Sequence, residues 1–151
     1  MKNIGLQEAV KKLEKYCAYQ ERCHHEVMQK GKTLGLNYYE CSEALSILIQ
    51  NNFLNEERFA LLYAQSKMNQ KKWGPVKISM EMKKKFINAR LIKKALDNLD
   101  QKKIEENLYK LFEKYQNTLK SSKSKREKEQ KTINYLLQKG YKYDLVNRLF
   151  E

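Results

Sequence analysis

Laid over itself with a shift of 54 positions, the chain reproduces its own apolar pattern: Met82 falls on Leu136, Leu91 on Leu145, Ile92 on Val146, Ala95 on Leu149 and Leu96 on Phe150. Lys85 falls on Lys139 and Phe86 on Gly140. A shift of 51 in the other direction sets Asn37 against Asn88, Cys41 against Ile92, and Ala44-Leu45 against Ala95-Leu96. Self-similarity at such a period belongs to stacked units, each too small to bury its apolar faces alone. The expected fold is therefore all-α: three tandem three-helix repeats, over residues 1–53, 54–100 and 101–151, forming an elongated, curved helical array.

Composition agrees with helices, since the 151 residues include one proline and five glycines and are rich in Leu, Lys, Glu and Tyr. Gly5 to Gln20 predicts a first helix, with Ala9, Val10, Leu13, Tyr16 and Cys17 on one face. A second runs from about Cys23 to Leu34, weakened by an interior Gly31 at about 0.5–1 kcal/mol relative to alanine. Asn37 starts a third, with Cys41, Ala44, Leu45, Leu48 and Ile49 on its buried side. Asn55 caps a fourth, with Glu56 and Glu57 in the first turn where the dipole favours negative charge, and Phe59, Leu62 and Tyr63 on one face. Trp73-Gly74-Pro75 breaks that helix and starts a fifth, because proline suits a first helical position. Phe86-Ile87-Asn88 turns the chain into a sixth, whose apolar face is Leu91, Ile92, Ala95 and Leu96. Ile104, Leu108, Leu111, Phe112 and Tyr115 stripe a seventh. Lys120 to Lys125 is low in complexity and is expected to be a mobile loop. Helix resumes near Glu127, carries Ile133, Leu136 and Leu137, and ends at Gly140; Tyr143 to Phe150 form the last one. Tyr63, Tyr115 and Tyr135 are expected to face the core.

The formal charge is +13, and it is clustered. From Lys71 to Lys94 nine cations face Glu81 alone; from Lys120 to Lys131 six face two acids. Such clusters point to a polyanionic partner, the alternative being a solvated surface that serves solubility. Lys77 and Lys84 share a face of one helix, as Arg90, Lys93 and Lys94 do on the next. With Lys83 and Lys85 they are expected to form one basic ridge. The candidate contact residues are Lys71, Lys72, Trp73, Lys77, Lys83, Lys84, Arg90, Lys93 and Lys94. No Asn or Gln stands with arginine for reading base edges, so the ridge would grip phosphate or acidic protein without sequence preference. Trp73, the single tryptophan, is either an anchor fixing the angle between two helices or a contact aromatic for a base or a partner groove.

Cys17, Cys23 and Cys41 form no C-x-x-C pair. Their odd count, without an N-terminal apolar segment, implies reduced thiols and a cytoplasmic protein. Cys17 and Cys41 lie on apolar stripes and read as core. His24 and His25 diverge by roughly 100° on a helix and cannot share a metal as an i, i+4 pair can. There is no Gly-rich phosphate loop, nucleophile elbow or acid pair in an apolar setting. No catalytic residue, metal or cofactor is predicted, and no apolar run approaches the ~18 residues of a membrane span.

The most specific wording lies between Leu54 and Ile87. Leu54, Asn55, Glu56, Arg58, Phe59 and Ala60, then Trp73, Gly74 and Pro75, then Ile78, Glu81, Met82, Lys85 and Ile87 stand in order. In these residues the chain resembles the RecX family, bacterial regulators of the RecA recombinase. That family reads Leu-(Asp/Asn)-(Asp/Glu)-x-Arg-Phe-Ala, aromatic-Gly-Pro, x-x-Ile-x-x-Glu-Leu and Lys-Gly-Ile. One position departs: Phe86 stands where the family has its turn glycine. With the flanking segments, the resemblance covers nearly the whole chain. It implies the curved repeat array and, as partner, the RecA filament on single-stranded DNA. Lying along the filament groove, such a protein bridges protomers and modulates, in the inhibitory direction, RecA activity and ATP turnover without chemistry of its own. Binding to bare single-stranded DNA is expected to be weak and non-specific, and the free protein monomeric. Composition alone also fits a stand-alone, sequence-indifferent nucleic-acid binder or an inert helical scaffold.

Overall fold

The computed structural model describes residues 4–119 and 124–151, and every regular element within them is helical. The first group comprises α1 (Leu6–Tyr19), α2 (His24–Thr33) and α3 (Tyr38–Gln50). The second comprises α4 (Glu56–Ser66), α5 (Pro75–Lys84) and α6 (Ala89–Asp97), and the third α7 (Gln101–Gln116), α8 (Lys125–Gln138) and α9 (Tyr143–Asn147). A π-helical turn, Lys67–Lys71, extends α4, and a 3-10 turn, Arg148–Phe150, closes the chain, so the expected last helix is split. The helix expected from Glu127 begins earlier, because the Ser124 hydroxyl caps it by accepting from the Glu127 N–H. Of the expected mobile loop, residues 120–123 lie outside the described residues and Lys125 is already helical.

Each group repeats one local design. Its second helix ends in a residue of positive φ: Gly35 at 95°, Phe86 at 62° and Gly140 at 98°. The next residue, Leu36, Ile87 or Tyr141, is buried. Its N–H donates back to the carbonyl of Gly31, Met82 or Leu136, at 3.0, 3.2 and 3.3 Å. That bond closes a Schellman turn and aims the chain into the third helix. Asn37 and Asn88 cap the third helices of the first two groups through their side chains. Phe86 thus keeps the conformation of the glycine it replaces, at a cost of roughly 1–2 kcal/mol for an L residue. Its ring lies 4.8 Å from that of His25.

Two cores result. One closes over α1–α3 around Leu13, Val27, Ala44 and Leu48 and takes in Leu54. The other runs unbroken through α4–α9 and takes in Cys23 from the first group. Two apolar faces are narrower than their spacing implies: Ile49 is 43% exposed and Leu62 51%. Tyr63, Tyr115 and Tyr135 are half-buried, the last two stacked at 4.2 Å. Gly31, expected to weaken α2, is buried against Cys41. The accessible surface is 9904 Å², against roughly 8,100 Å² for a compact monomer of this mass, as stacking in a row requires.

The second helices of neighbouring groups meet end to end, the carbonyl end of one at the N–H end of the next, so their dipoles align favourably. At the junction of α8 with α5 the meeting is bare backbone. The Gly74 N–H donates to the Lys139 carbonyl at 2.8 Å and the Val76 N–H to the Gly140 carbonyl at 2.9 Å. A Cβ on Gly74 would stand 2.4 Å from the Gly140 oxygen. At the junction of α5 with α2, Cys23 and Phe86 occupy the places of those glycines, and carboxylates fill the gap. Glu26 accepts from the Cys23 N–H at 3.0 Å and Glu56 from the His24 N–H at 2.9 Å. Ion pairs of Glu21 with Arg58 and of Glu26 with Lys85 complete the joint.

Candidate functional site

The tryptophan turn is shaped from both sides. After the π-helical turn, the Trp73 N–H donates to the Lys67 carbonyl at 3.2 Å, and Lys72 takes a φ of 55°. The third group braces it: the Asn107 amide donates to the Met68 carbonyl at 2.9 Å and the Tyr141 hydroxyl to the Lys72 carbonyl at 2.6 Å. Both side chains are buried, and burial pushes the Tyr141 phenol well above its ordinary range. Trp73 is half-buried against the core, with the Lys67 and Lys77 ammonium groups 5.1 and 4.7 Å from its ring centre. Its packing against the core is what the anchor reading expects, and cations beside the ring contribute about 0.5–1 kcal/mol each at exposed sites. Lys71, beside it, is exposed.

The cations expected to form the ridge differ in their partners. Lys83 on α5 and Lys93 on α6 reach the rim of one groove between these helices. Lys84 is held by Glu81 at 3.1 Å, Lys93 by Asp97 at 2.8 Å, and Lys94 by Glu57 of α4 at 2.5 Å. The hydrogen bond from Lys94 holds the Glu57 carboxyl below the ordinary carboxylate range, and that to Asp97 raises the Lys93 ammonium. Exposed pairs of this kind add little to stability and exchange readily for a partner's charges. Lys71, Lys72, Lys83 and Arg90 make no ion pair among the described residues. The sequence count of nine cations against one acid missed Glu57, which arrives from another helix, and Asp97, just beyond the counted stretch.

Three further residues of this surface were not singled out by sequence: Lys67, Asn107 and Tyr141. Asn107 left a signal, a polar residue inside the stripe Ile104, Leu108, Leu111 that is itself buried. Lys67 and Tyr141 left none, because their roles depend on the π-helical turn. Cys17 and Cys23 are free and buried, and burial pushes both thiols up to about 11; that of Cys41 is raised for the same reason. Among the described residues no group of three His, Cys, Asp or Glu is placed to hold a metal. No helix there is long and apolar enough to cross a membrane.

Comparison with known proteins converges on one family. Residues 55–96 match the sequence model of the second three-helix domain of RecX, and residues 103–150 that of the third. Regulatory protein RecX of Clostridium perfringens is 30% identical over 125 residues, which cover 82% of this chain and 58% of that protein. For regulatory protein RecX of Bacillus cytotoxicus the identity is 26% over 149 residues, 99% of this chain and 55% of that protein. The chain thus spans little more than half the length of these curated relatives. The crystal structure of RecX from Lactobacillus salivarius has a TM-score of 0.83 at 29% identity, covering 96% of this chain and 94% of that one. A further crystal structure of regulatory protein RecX has a TM-score of 0.87 at 22% identity, over 95% of this chain and 71% of that one, a likeness of fold alone. With two of its three-helix groups matched in order and the tandem fold shared along its length, the chain belongs to the RecX family of regulatory proteins.

Proposed function

We propose that this chain binds RecA assembled on single-stranded DNA and modulates, in the inhibitory direction, its recombinase and ATPase activity in recombination and repair. Family membership supports this, and so does one observation. Lys71, Lys72, Lys83 and Arg90 stand unpaired among the described residues on the middle group, whose tryptophan turn is braced by Asn107 and Tyr141. A filament presents phosphate and carboxylate at fixed spacing. A row of three-helix units touches successive protomers, so each weak contact raises the effective concentration of the next. Bridged protomers then exchange and turn over ATP differently, with no reaction carried out by the chain itself. Bare single-stranded DNA offers phosphate alone, so binding there is weak, sequence-indifferent and lost with salt. The free protein acts as a cytoplasmic monomer, with residues 1–53, 54–100 and 101–151 as its units.

The test is RecA's DNA-dependent ATPase with DNA in large excess. Sub-stoichiometric protein suppresses turnover if filaments are the target; suppression that vanishes as DNA is raised means competition for DNA. A stand-alone nucleic-acid binder is the second reading, favoured by one cluster. Tyr19, 83% exposed, stands near Arg22, whose guanidinium lies 3.7 Å over the Tyr16 ring, an arrangement suited to stacking bases. Stoichiometric DNA binding with unaltered ATPase would select it.

A further inference from the structure

A groove of about 590 Å³ opens between α5, α6 and the start of α7. Its floor includes Val76 and Met80, which are 39% and 53% exposed although Ile78 and Met82 of the same helix are fully buried. Leu96 of α6, half-buried, continues the floor. The rim carries Lys83 from α5, Lys93 from α6 and Lys142 from the third group. Its acid, Asp97, is engaged by Lys93.

An apolar floor with a cationic rim discriminates between partners. DNA phosphate would satisfy the lysines and leave Val76 and Met80 in water. A helix with apolar residues on one face and carboxylates beside them satisfies both, its anchors seated on the floor and its acids on the rim. Methionine, unbranched and polarisable, suits such a floor because it adapts to whatever anchor enters. We infer that this groove docks an acidic amphipathic helical segment of a partner protein. In the filament reading, on which this one step rests, the segment belongs to RecA rather than to the DNA. Lys83 and Lys93 then contact protein, which leaves Lys71 and Lys72 for phosphate.

The experiment uses the full chain labelled with ¹³C at its methionine methyl groups. The probe is a synthetic amphipathic peptide of about 16 residues, leucine at i, i+4 and i+7 with glutamate on the flanks. The Met80 methyl signal is expected to shift on titration while those of buried Met68 and Met82 stay in place. Replacing the probe's glutamates by lysine, or Lys83→Glu in the protein, which keeps the Met80 reporter, abolishes the shift, and an oligothymidylate does not produce it. Because Lys83 and Met80 are exposed, Lys83→Glu and Met80→Glu keep the wild-type melting curve. A Met80 signal unmoved by the probe, or moved equally by the oligonucleotide, overturns the proposal. On filaments, Met80→Glu is expected to weaken association about tenfold while bare-DNA affinity stays within about twofold. Unchanged filament association overturns the assignment of the segment to RecA. If the wild-type chain ignores filaments altogether, the filament reading falls, and the peptide titration still decides the groove.

Discussion

Gly31 of α2 and Cys41 of α3 occupy one space between them: a Cβ built on Gly31 would stand 2.7 Å from the Cys41 sulfur. The glycine costs α2 about 0.5–1 kcal/mol of helix propensity, and in exchange the two helices close around a buried thiol. Gly31→Ala is therefore expected to destabilise the protein by about 1–2 kcal/mol, because overpacking outweighs propensity. In a Cys41→Ala background the same change should be neutral or stabilising. Denaturant melts of the double-mutant cycle check this, and additive effects would show that the two positions do not share the space.

Gly74 and Gly140 make the corresponding bargain between groups. Gly74→Ala drives a methyl group into the Gly140 carbonyl and breaks two inter-group backbone hydrogen bonds. The expected loss is about 2–4 kcal/mol, with the third group melting ahead of the second. Gly5→Ala, which meets nothing within 4 Å, is the silent control. A cooperative, wild-type melt of Gly74→Ala would mean that the backbone junction does not couple the groups.

The other junction depends on charge. Arg58→Ala removes the ion pair to Glu21 and the bond to the Asn52 carbonyl beyond α3. A partly exposed pair contributes at most about 1 kcal/mol. The effect should be local all the same: faster hydrogen exchange in α1–α3 and no change in α7–α9. High salt applied to the wild type should act in the same direction. Uniform acceleration along the chain would show that the first group is not separately hinged.

Burial also sets a pH dependence. The thiols of Cys17 and Cys23 are pushed up to about 11 and the Tyr63 phenol to about 12, in each case by burial. Each group binds its proton more tightly folded than unfolded. The stability this contributes is complete below the unfolded thiol value of about 8.5 and is lost as pH rises through those folded values. Melting temperature should fall steadily above that point. Cys17→Ala with Cys23→Ala should flatten the first part of the fall, and an unaltered slope would remove the thiols from the explanation.

What sequence reveals here is what is local. The cap at Asn55, the helix start at Asn37 and the proline start of α5 follow from side-chain chemistry within one turn, and the structure has them. The repeat shifts that set Gly140 on Phe86 also fix the three Schellman turns, even where a phenylalanine must adopt a glycine's φ. Relations between helices were not legible. Glu57 neutralises Lys94 from a position 37 residues away, so no window of charge along the chain shows it. The π-helical turn is equally hidden, since it departs from the 3.6-residue period by which the stripes were found. It brings Lys67 to Trp73, offers the Met68 carbonyl to Asn107 and, just beyond its end, leaves the Lys72 carbonyl to Tyr141.

The central claim is that the unpaired cations of the middle group carry the action on RecA filaments. The direct measurement is a titration of RecA's ATPase, at excess single-stranded DNA, with the wild type and a variant carrying Lys71→Ala, Lys72→Ala, Lys83→Ala and Arg90→Ala. Lys71, Lys83 and Arg90 are exposed and Lys72 is half-buried, and none of the four makes an ion pair among the described residues, so helix content should not change and melting should shift little. The variant is expected to need at least about tenfold more protein for half-suppression, because each lost cation removes a charge-assisted bond to a partner fixed in the filament. A second variant, with the ion-paired Lys84, Lys93 and Lys94 replaced by alanine, should lose less. If the four-alanine variant suppresses turnover at wild-type concentrations, these cations serve solubility and the claim is wrong.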